Sequence, residues 1–155
     1  MEEDQKTGRI MGGGLGFKDQ VRRNLVAIIS IFIAVSSLSY NTWRNEKTEY
    51  NRNQRLASLE VLLKLGALQE LVFYSHYDRD AEQKGNPRTG WALVLTIRDL
   101  SQILEAPLPA ASATLVATWG EHWDKLGESQ QSADAILADV ESLRDDTLEL
   151  LQMLD

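Results

Sequence analysis

An uncharged stretch of twenty residues, 24–43, constrains this chain most, because it determines whether the chain is attached to a membrane. The stretch begins after Arg23 and ends before Arg44. As an α-helix, twenty residues extend about 30 Å, which matches the hydrocarbon core of a bilayer. Tyr40 and Trp43 lie where aromatic side chains gather at a membrane surface. The stretch therefore predicts a single transmembrane helix.

A cleavable export signal is the main alternative interpretation of this stretch. Its most apolar part, residues 25–35, is short, and Ala34-Val35-Ser36 has the small-x-small form of a cleavage site. Arg22-Arg23 also opens a sequence similar to the core of a twin-arginine signal. However, the usual flanking Ser/Thr and Lys are missing, and the run is unusually rich in isoleucine. We therefore favour an uncleaved anchor.

The basic residues flanking the span bear on its orientation. Within fifteen residues, four Lys or Arg lie on each side, so their number alone does not decide. Arg22 and Arg23 adjoin the apolar run directly, whereas the basic residues after it alternate with Glu46 and Glu49. Positive charge favours the cytoplasmic side. We expect a bacterial-type inner membrane protein with a cytoplasmic N-terminus and a C-terminal domain outside the cytoplasm.

Charge and composition narrow the classes of partner. The first 75 residues carry a balance of +2, whereas the remaining 80 carry a balance of −9. An acidic C-terminal half repels phosphate backbones, so we expect no nucleic acid partner. Cysteine is absent, which excludes disulfides, thiolate metal sites and cysteine nucleophiles.

The pattern along the chain predicts four segments. Residues 1–23 are glycine-rich and form a flexible tail, residues 24–43 cross the membrane, and residues 44–55 form a polar helical stalk. Residues 56–155 form a soluble helical domain. A polar helix of this length needs support. We expect the stalk to contact another copy, the acidic end of the last helix, or lipid headgroups.

Apolar residues at helical spacing predict four amphipathic helices after the span. The first carries Leu59, Leu63, Leu65, Leu68, Val72 and Phe73, and ends near residue 77. Asn86-Pro87 has the form of an N-cap before the second helix, and the third begins at Pro109. The last runs from about Ala133, with a buried stripe interrupted by Thr147. Short links between these helices predict an all-α fold, an antiparallel four-helix bundle. The alternative is a three-helix core with the last helix packed elsewhere or on a second subunit.

The two histidines are the weak candidates for a metal site. His76 and His122 lie near the C-terminal ends of two helices, and Asp78 and Asp124 are close to them in sequence. Imidazole and carboxylate groups together bind divalent metals. Hydrogen-bonded structural histidines near helix C-termini are the favoured interpretation, so we expect no bound metal and no cofactor.

Three tryptophans form a candidate ligand wall. Trp91, Trp119 and Trp123 lie near the same predicted end of the domain and could stack on a ligand. At helical spacing such residues more often belong to the core. No nucleophile with a neighbouring base is recognisable, so an enzyme is not expected.

The sequence thus favours a non-catalytic, single-pass membrane protein, an accessory, scaffold or oligomerising subunit of a membrane complex. Its expected partners are the lipid bilayer and either another protein or a second copy of the chain. The alternative is a membrane-tethered sensory module that binds a metal or small ligand at the membrane-distal end.

Overall fold

A computed structural model describes residues 16–80 and 82–154. Four α-helices account for most of them: α1 (Phe17–His76), α2 (Pro87–Ser101), α3 (Leu108–His122) and α4 (Gln130–Met153). A single 3-10 turn, Trp123–Lys125, lies between α3 and α4, and no strand occurs in the described ranges. The expected all-α class is confirmed. The chain divides into two compact units, Met1–Asn45 and Glu46–Asp155, and α1 contributes to both.

Most of the predicted flexible tail lies outside the described residues. Gly16 is not helical, but α1 already begins at Phe17, within the segment that the sequence assigned to the tail. Residues 17–23 contain neither Pro nor Gly, so nothing in them stops the helix of the apolar stretch from extending toward the N-terminus.

The described part of the first unit is a helix with an apolar run that no other part of the described chain covers. Every residue from 20 to 45 is exposed, including the whole apolar run. This is the helix of the described chain that is long and apolar enough to cross a membrane. The Ser30 hydroxyl donates a 2.8 Å hydrogen bond to the Val26 carbonyl, so this polar group is satisfied within the helix.

The second unit has one hydrophobic core to which all four helices contribute. The buried stripe expected on α4 is present: Ile136, Val140, Leu143, Leu150 and Leu154 are all buried. Thr147, which interrupts that stripe in the sequence, is buried as well. Its hydroxyl donates a 2.6 Å hydrogen bond to the Leu143 carbonyl, so the polar atom is satisfied inside its own helix.

Trp119 is the largest fully buried side chain, and its ring lies against Gly90 of α2. A Cβ atom added at Gly90 would overlap the six-membered ring of the indole. The absence of a side chain at this position therefore allows α3 to place a tryptophan directly on the backbone of α2. This contact fixes how closely the two helices approach each other.

The helix ends agree with the sequence in one case and differ in others. Asn86 caps α2 as predicted, because its Oδ1 accepts a 3.0 Å hydrogen bond from the Arg88 N–H. Helix α4 begins three residues earlier than expected, since the Ser129 hydroxyl accepts from the Ser132 N–H at 3.2 Å. Trp123 lies in the 3-10 turn after α3 rather than within the helix.

Within the second unit, α1 has an inner and an outer apolar face, which the sequence analysis treated as one stripe. Val61, Leu65, Leu68 and Val72 are fully buried, whereas Leu56, Leu59, Leu63 and Phe73 are exposed. The two sets interleave along the sequence, so the spacing of apolar residues does not by itself separate the inner face from the outer face. Only the inner face contributes to the core.

Two of the glycines within helices, Gly66 and Gly90, give a matched test of this packing. A Cβ added at Gly66 meets nothing within 4 Å, so Gly66→Ala should raise the free energy of unfolding by about 0.5–1 kcal/mol through helix propensity. Gly90→Ala should lower it by about 1–3 kcal/mol, because the methyl group overlaps Trp119. Urea unfolding of the full chain in detergent, followed by tryptophan fluorescence, measures both. Equal effects of the two substitutions would contradict the Trp119–Gly90 contact.

Candidate functional site

The end of α1 is held to the start of α4 by His76. Its Nδ1 donates to the Leu126 carbonyl at 2.8 Å, because a carbonyl oxygen only accepts. Its Nε2 lies 2.9 Å from Oε1 of Gln130, the first residue of α4. Gln130 in turn donates to the hydroxyl of Tyr77 at 3.2 Å and to Asp134 at 2.7 Å. Both ring nitrogens of His76 therefore already have partners within the protein.

His122 also contacts the start of α4. Its Nδ1 lies 3.1 Å from the hydroxyl of Ser132, two residues after Gln130. The fold thus brings both histidines to the first turn of the same helix, and both are partly buried. Asp78 and Asp124, the carboxylates proposed beside them, are exposed. Among residues 16–80 and 82–154, no group of three His, Asp or Glu side chains is arranged to hold a metal ion.

An open cleft of about 660 Å³ lies beside His76. Its lining comes from the end of α1 and the turn before α4: Ser75, His76, Tyr77, Arg79, Gly127 and Glu128. The lining carries one guanidinium, one carboxylate, one imidazole and one phenol. The Ser75 hydroxyl is buried and has no hydrogen-bond partner among the described residues. This concave surface lies near the predicted ligand end.

The three tryptophans of the candidate ligand wall do not share one surface. Trp119 is fully buried in the core, whereas Trp91 and Trp123 are partly buried and pack against it. The rings of Trp91 and Trp123 meet edge to face, with centroids 6.3 Å apart. None of the three lines the cleft beside His76. All three tryptophans thus contribute to, or pack against, the hydrophobic core.

The far end of the second unit contains contacts that the sequence did not predict. Gln54 of α1 is buried: its amide donates to the Ile103 carbonyl at 2.6 Å and its Oε1 accepts from the Glu105 N–H at 3.3 Å. The Tyr50 hydroxyl donates to the Glu105 carboxylate at 2.9 Å, and this hydrogen bond raises the pKa of Tyr50 above its ordinary value. The loop after α2 therefore covers part of the predicted stalk. The sequence analysis did not consider this loop as a contact of the stalk.

The basic residues of the predicted stalk were expected to meet lipid headgroups or the acidic end of α4. Arg52 instead pairs with Glu49 of its own helix, at 2.5 Å. Both side chains are largely exposed, and such pairs contribute little to stability.

No family model, curated protein or solved structure matches this chain.

The partners of the histidines are the site residues that sequence reasoning missed. Gln130 and Ser132 lie in a polar segment without apolar periodicity, just before the residue at which the sequence analysis began the last helix. The available signal was Ser129, a preferred N-cap residue that predicts a helix beginning at Gln130. Nothing in the sequence marks the Leu126 carbonyl as a partner of His76, because every residue has a backbone carbonyl that can accept a hydrogen bond.

His76→Ala tests whether this histidine has a structural role. The substitution removes two hydrogen bonds and leaves the Leu126 carbonyl without its partner, so the free energy of unfolding should fall by about 1–3 kcal/mol. Asp78→Ala, two residues away and exposed, should change it by less than about 0.5 kcal/mol. Urea unfolding of the full chain in detergent gives both values. If His76→Ala is as mild as Asp78→Ala, the imidazole does not join α1 to α4.

Proposed function

We propose that the protein is a non-catalytic, single-pass membrane protein whose helical domain serves as an accessory, scaffold or oligomerising subunit. The observation that carries this proposal is the helix over residues 20–45, which is exposed along its entire length and apolar enough to cross a membrane. In water such a surface would be costly, since burial of apolar area contributes about 25 cal/mol per Å². A bilayer removes that cost.

The flanks of the helix support an anchor rather than a cleaved signal. The rings of Tyr40 and Trp43 lie together at the C-terminal end of the apolar stretch, with centroids 6.1 Å apart, as in an interfacial aromatic belt. Helix α1 also continues past the apolar stretch without interruption. Cleavage after residue 36 would cut within this helix. In the proposed arrangement the N-terminus is cytoplasmic and the domain lies outside the cytoplasm.

In this proposal the second unit is an antiparallel four-helix bundle. The hydrogen bond between His76 and Gln130 joins the end of α1 to the start of α4. The hydrogen bond between Gln54 and Ile103 joins an earlier part of α1 to the residues that follow α2. Both contacts fit an arrangement in which α1 runs opposite to α2 and to α4.

An uncleaved anchor predicts that the protein remains in the membrane pellet after carbonate extraction, with residues 1–36 still present by mass spectrometry. A reporter that is active only outside the cytoplasm should be active when fused after Asp155. The matched control is a fusion after Gly16, before the span, which should be silent with the same reporter. A soluble protein whose N-terminus begins near residue 37 would disprove the anchor. Activity of the Gly16 fusion alone would reverse the orientation.

A sensory module that binds a ligand at the domain end remains the second candidate. The cleft beside His76 favours it, because it gathers cationic, anionic and aromatic groups at the end where both histidines lie. Binding there would have to replace the hydrogen bonds of His76 to Leu126 and Gln130. A ligand would thereby loosen the join between α1 and α4 and transmit its presence through α1.

Zn²⁺ is the probe for this second candidate. A metal shared by the two histidines predicts a saturable change in tryptophan fluorescence of the full chain that His76→Ala and His122→Ala each abolish. Glu149→Ala, at an exposed carboxylate farther along α4, provides the control variant. No saturable change, or one that survives either histidine substitution, would exclude a shared metal site and leave the histidines with structural roles.

A further inference from the structure

The part of α1 that belongs to the second unit has an outer face that no other helix of the described chain covers. The exposed residues of this face are 52, 56, 59, 63, 66, 70 and 73, which alternate between spacings of four and three. This is the spacing of the a and d positions in a coiled coil, where two helices pack along one seam. The inner face of the same helix carries residues 57, 61, 65, 68 and 72, which are buried in the core.

The middle of this outer face is strongly apolar. Leu56, Leu59 and Leu63 are 60%, 52% and 68% exposed, and Ile103, 61% exposed, lies beside Leu56 in the loop after α2. Leu56 and Ile103 line one groove of about 580 Å³ together with Leu100. Single exposed leucines are ordinary, but a contiguous apolar patch on a domain surface indicates a binding surface. We call residues 56, 59, 63 and 103 the α1 seam.

We propose that the α1 seam binds the same seam of a second copy of this chain, with the two α1 helices parallel and in register. A face with a and d spacing is complementary to itself about a two-fold axis along the helices, so an identical chain fits it. The parallel direction rests on the proposed function, because copies inserted into one membrane with one orientation share the polarity of α1. Confinement to the membrane also raises their effective concentration.

The charges beside the seam agree with this arrangement. In a parallel, in-register pair, the residue just before an a position faces the residue five places later on the partner. Arg55 precedes Leu56, and Glu60 is five places after Arg55. Arg55 of one copy therefore faces Glu60 of the other, and the two-fold axis repeats the pair. Both residues belong to the outer half of α1, and Glu60 also lines the groove beside Leu56.

Gly66 and Glu70 mark where the apolar seam ends. Gly66 provides no side chain, and a Cβ added there meets nothing within 4 Å of its own chain. Glu70 carries a charge at an a position, where a second copy would place a like charge. The apolar seam on α1 is therefore little more than one heptad long, from Leu56 to Leu63, and such a short pair needs the membrane or another contact to persist.

Single cysteines test the proposal directly, because the natural chain has none. Leu56→Cys and Leu63→Cys, introduced separately into the full chain in membranes, should each form disulfide-linked dimers under mild oxidation. Leu148→Cys, at an exposed leucine of α4, controls for random collision. Dimers should be several-fold more abundant for both seam variants than for the control. Equal yields, or a link at only one of the two seam positions, would overturn the parallel, in-register pair.

A charge exchange provides a second, independent test in the Leu63→Cys background. Arg55→Glu alone and Glu60→Arg alone should each reduce the dimer yield, because each places like charges opposite one another. The double variant Arg55→Glu/Glu60→Arg should restore it. If the double variant forms as little disulfide-linked dimer as the single variants, the assigned register is wrong.

Carbonate extraction of the same membranes separates failure of this proposal from failure of the membrane anchor. A chain that stays in the pellet but gives no seam-specific dimer would retain the proposed function and refute the seam. A chain released into the supernatant that still links at both seam positions would support the seam and refute the anchor.

Discussion

The contact between the Trp119 indole and the backbone of Gly90 is the constraint on which the packing of the domain depends. It sets the closest approach of α2 and α3, and the largest buried side chain fills the space that the glycine leaves. The indole Nε1 is buried without a hydrogen-bond partner among the described residues. An unpaired buried N–H donor lowers the stability of the fold. Trp119 therefore contributes to the core through the shape of its ring rather than through its polar atom. The other buried hydrophobic residues of the core are smaller aliphatic side chains, and Trp91 and Trp123 pack against them.

The join between α1 and α4 differs from that core contact because it is made of polar groups. His76, Gln130 and Tyr77 form a chain of hydrogen bonds at one end of the domain, and Gln69 accepts from Arg144 at 2.5 Å nearer its middle. Hydrogen bonds specify which residues meet, whereas the apolar core specifies only that the faces meet. These contacts therefore set the register of α1 against α4. The cleft beside His76 lies next to this polar join and not next to the tryptophans.

The sequence predicted most of the helical pattern, for physical reasons that individual residues show. Asn86 followed by Pro87 marks the start of α2, and the aliphatic spacing of α4 identifies its buried face. The candidate site was harder to predict. The partners of His76 are a carbonyl and a glutamine far away in the chain, and periodicity does not reveal such pairs. Likewise, no local pattern shows that the loop after α2 returns to Gln54, or that Leu59 and Leu65 lie on opposite faces of α1.

The position of α1 at the start of the domain has a consequence for synthesis of the protein. The inner leucines and valines of α1 leave the ribosome before the rest of the domain. Arg144, which donates to Gln69 of α1, and Leu150, which belongs to the same hydrophobic core, come about eighty residues later. At typical elongation rates of roughly 5–20 residues per second, that delay is on the order of ten seconds. During this interval the inner face of α1 has no folded partner, so a nascent chain stalled before α4 would expose it to chaperones and proteases. The second unit can close only when nearly its whole length has been translated.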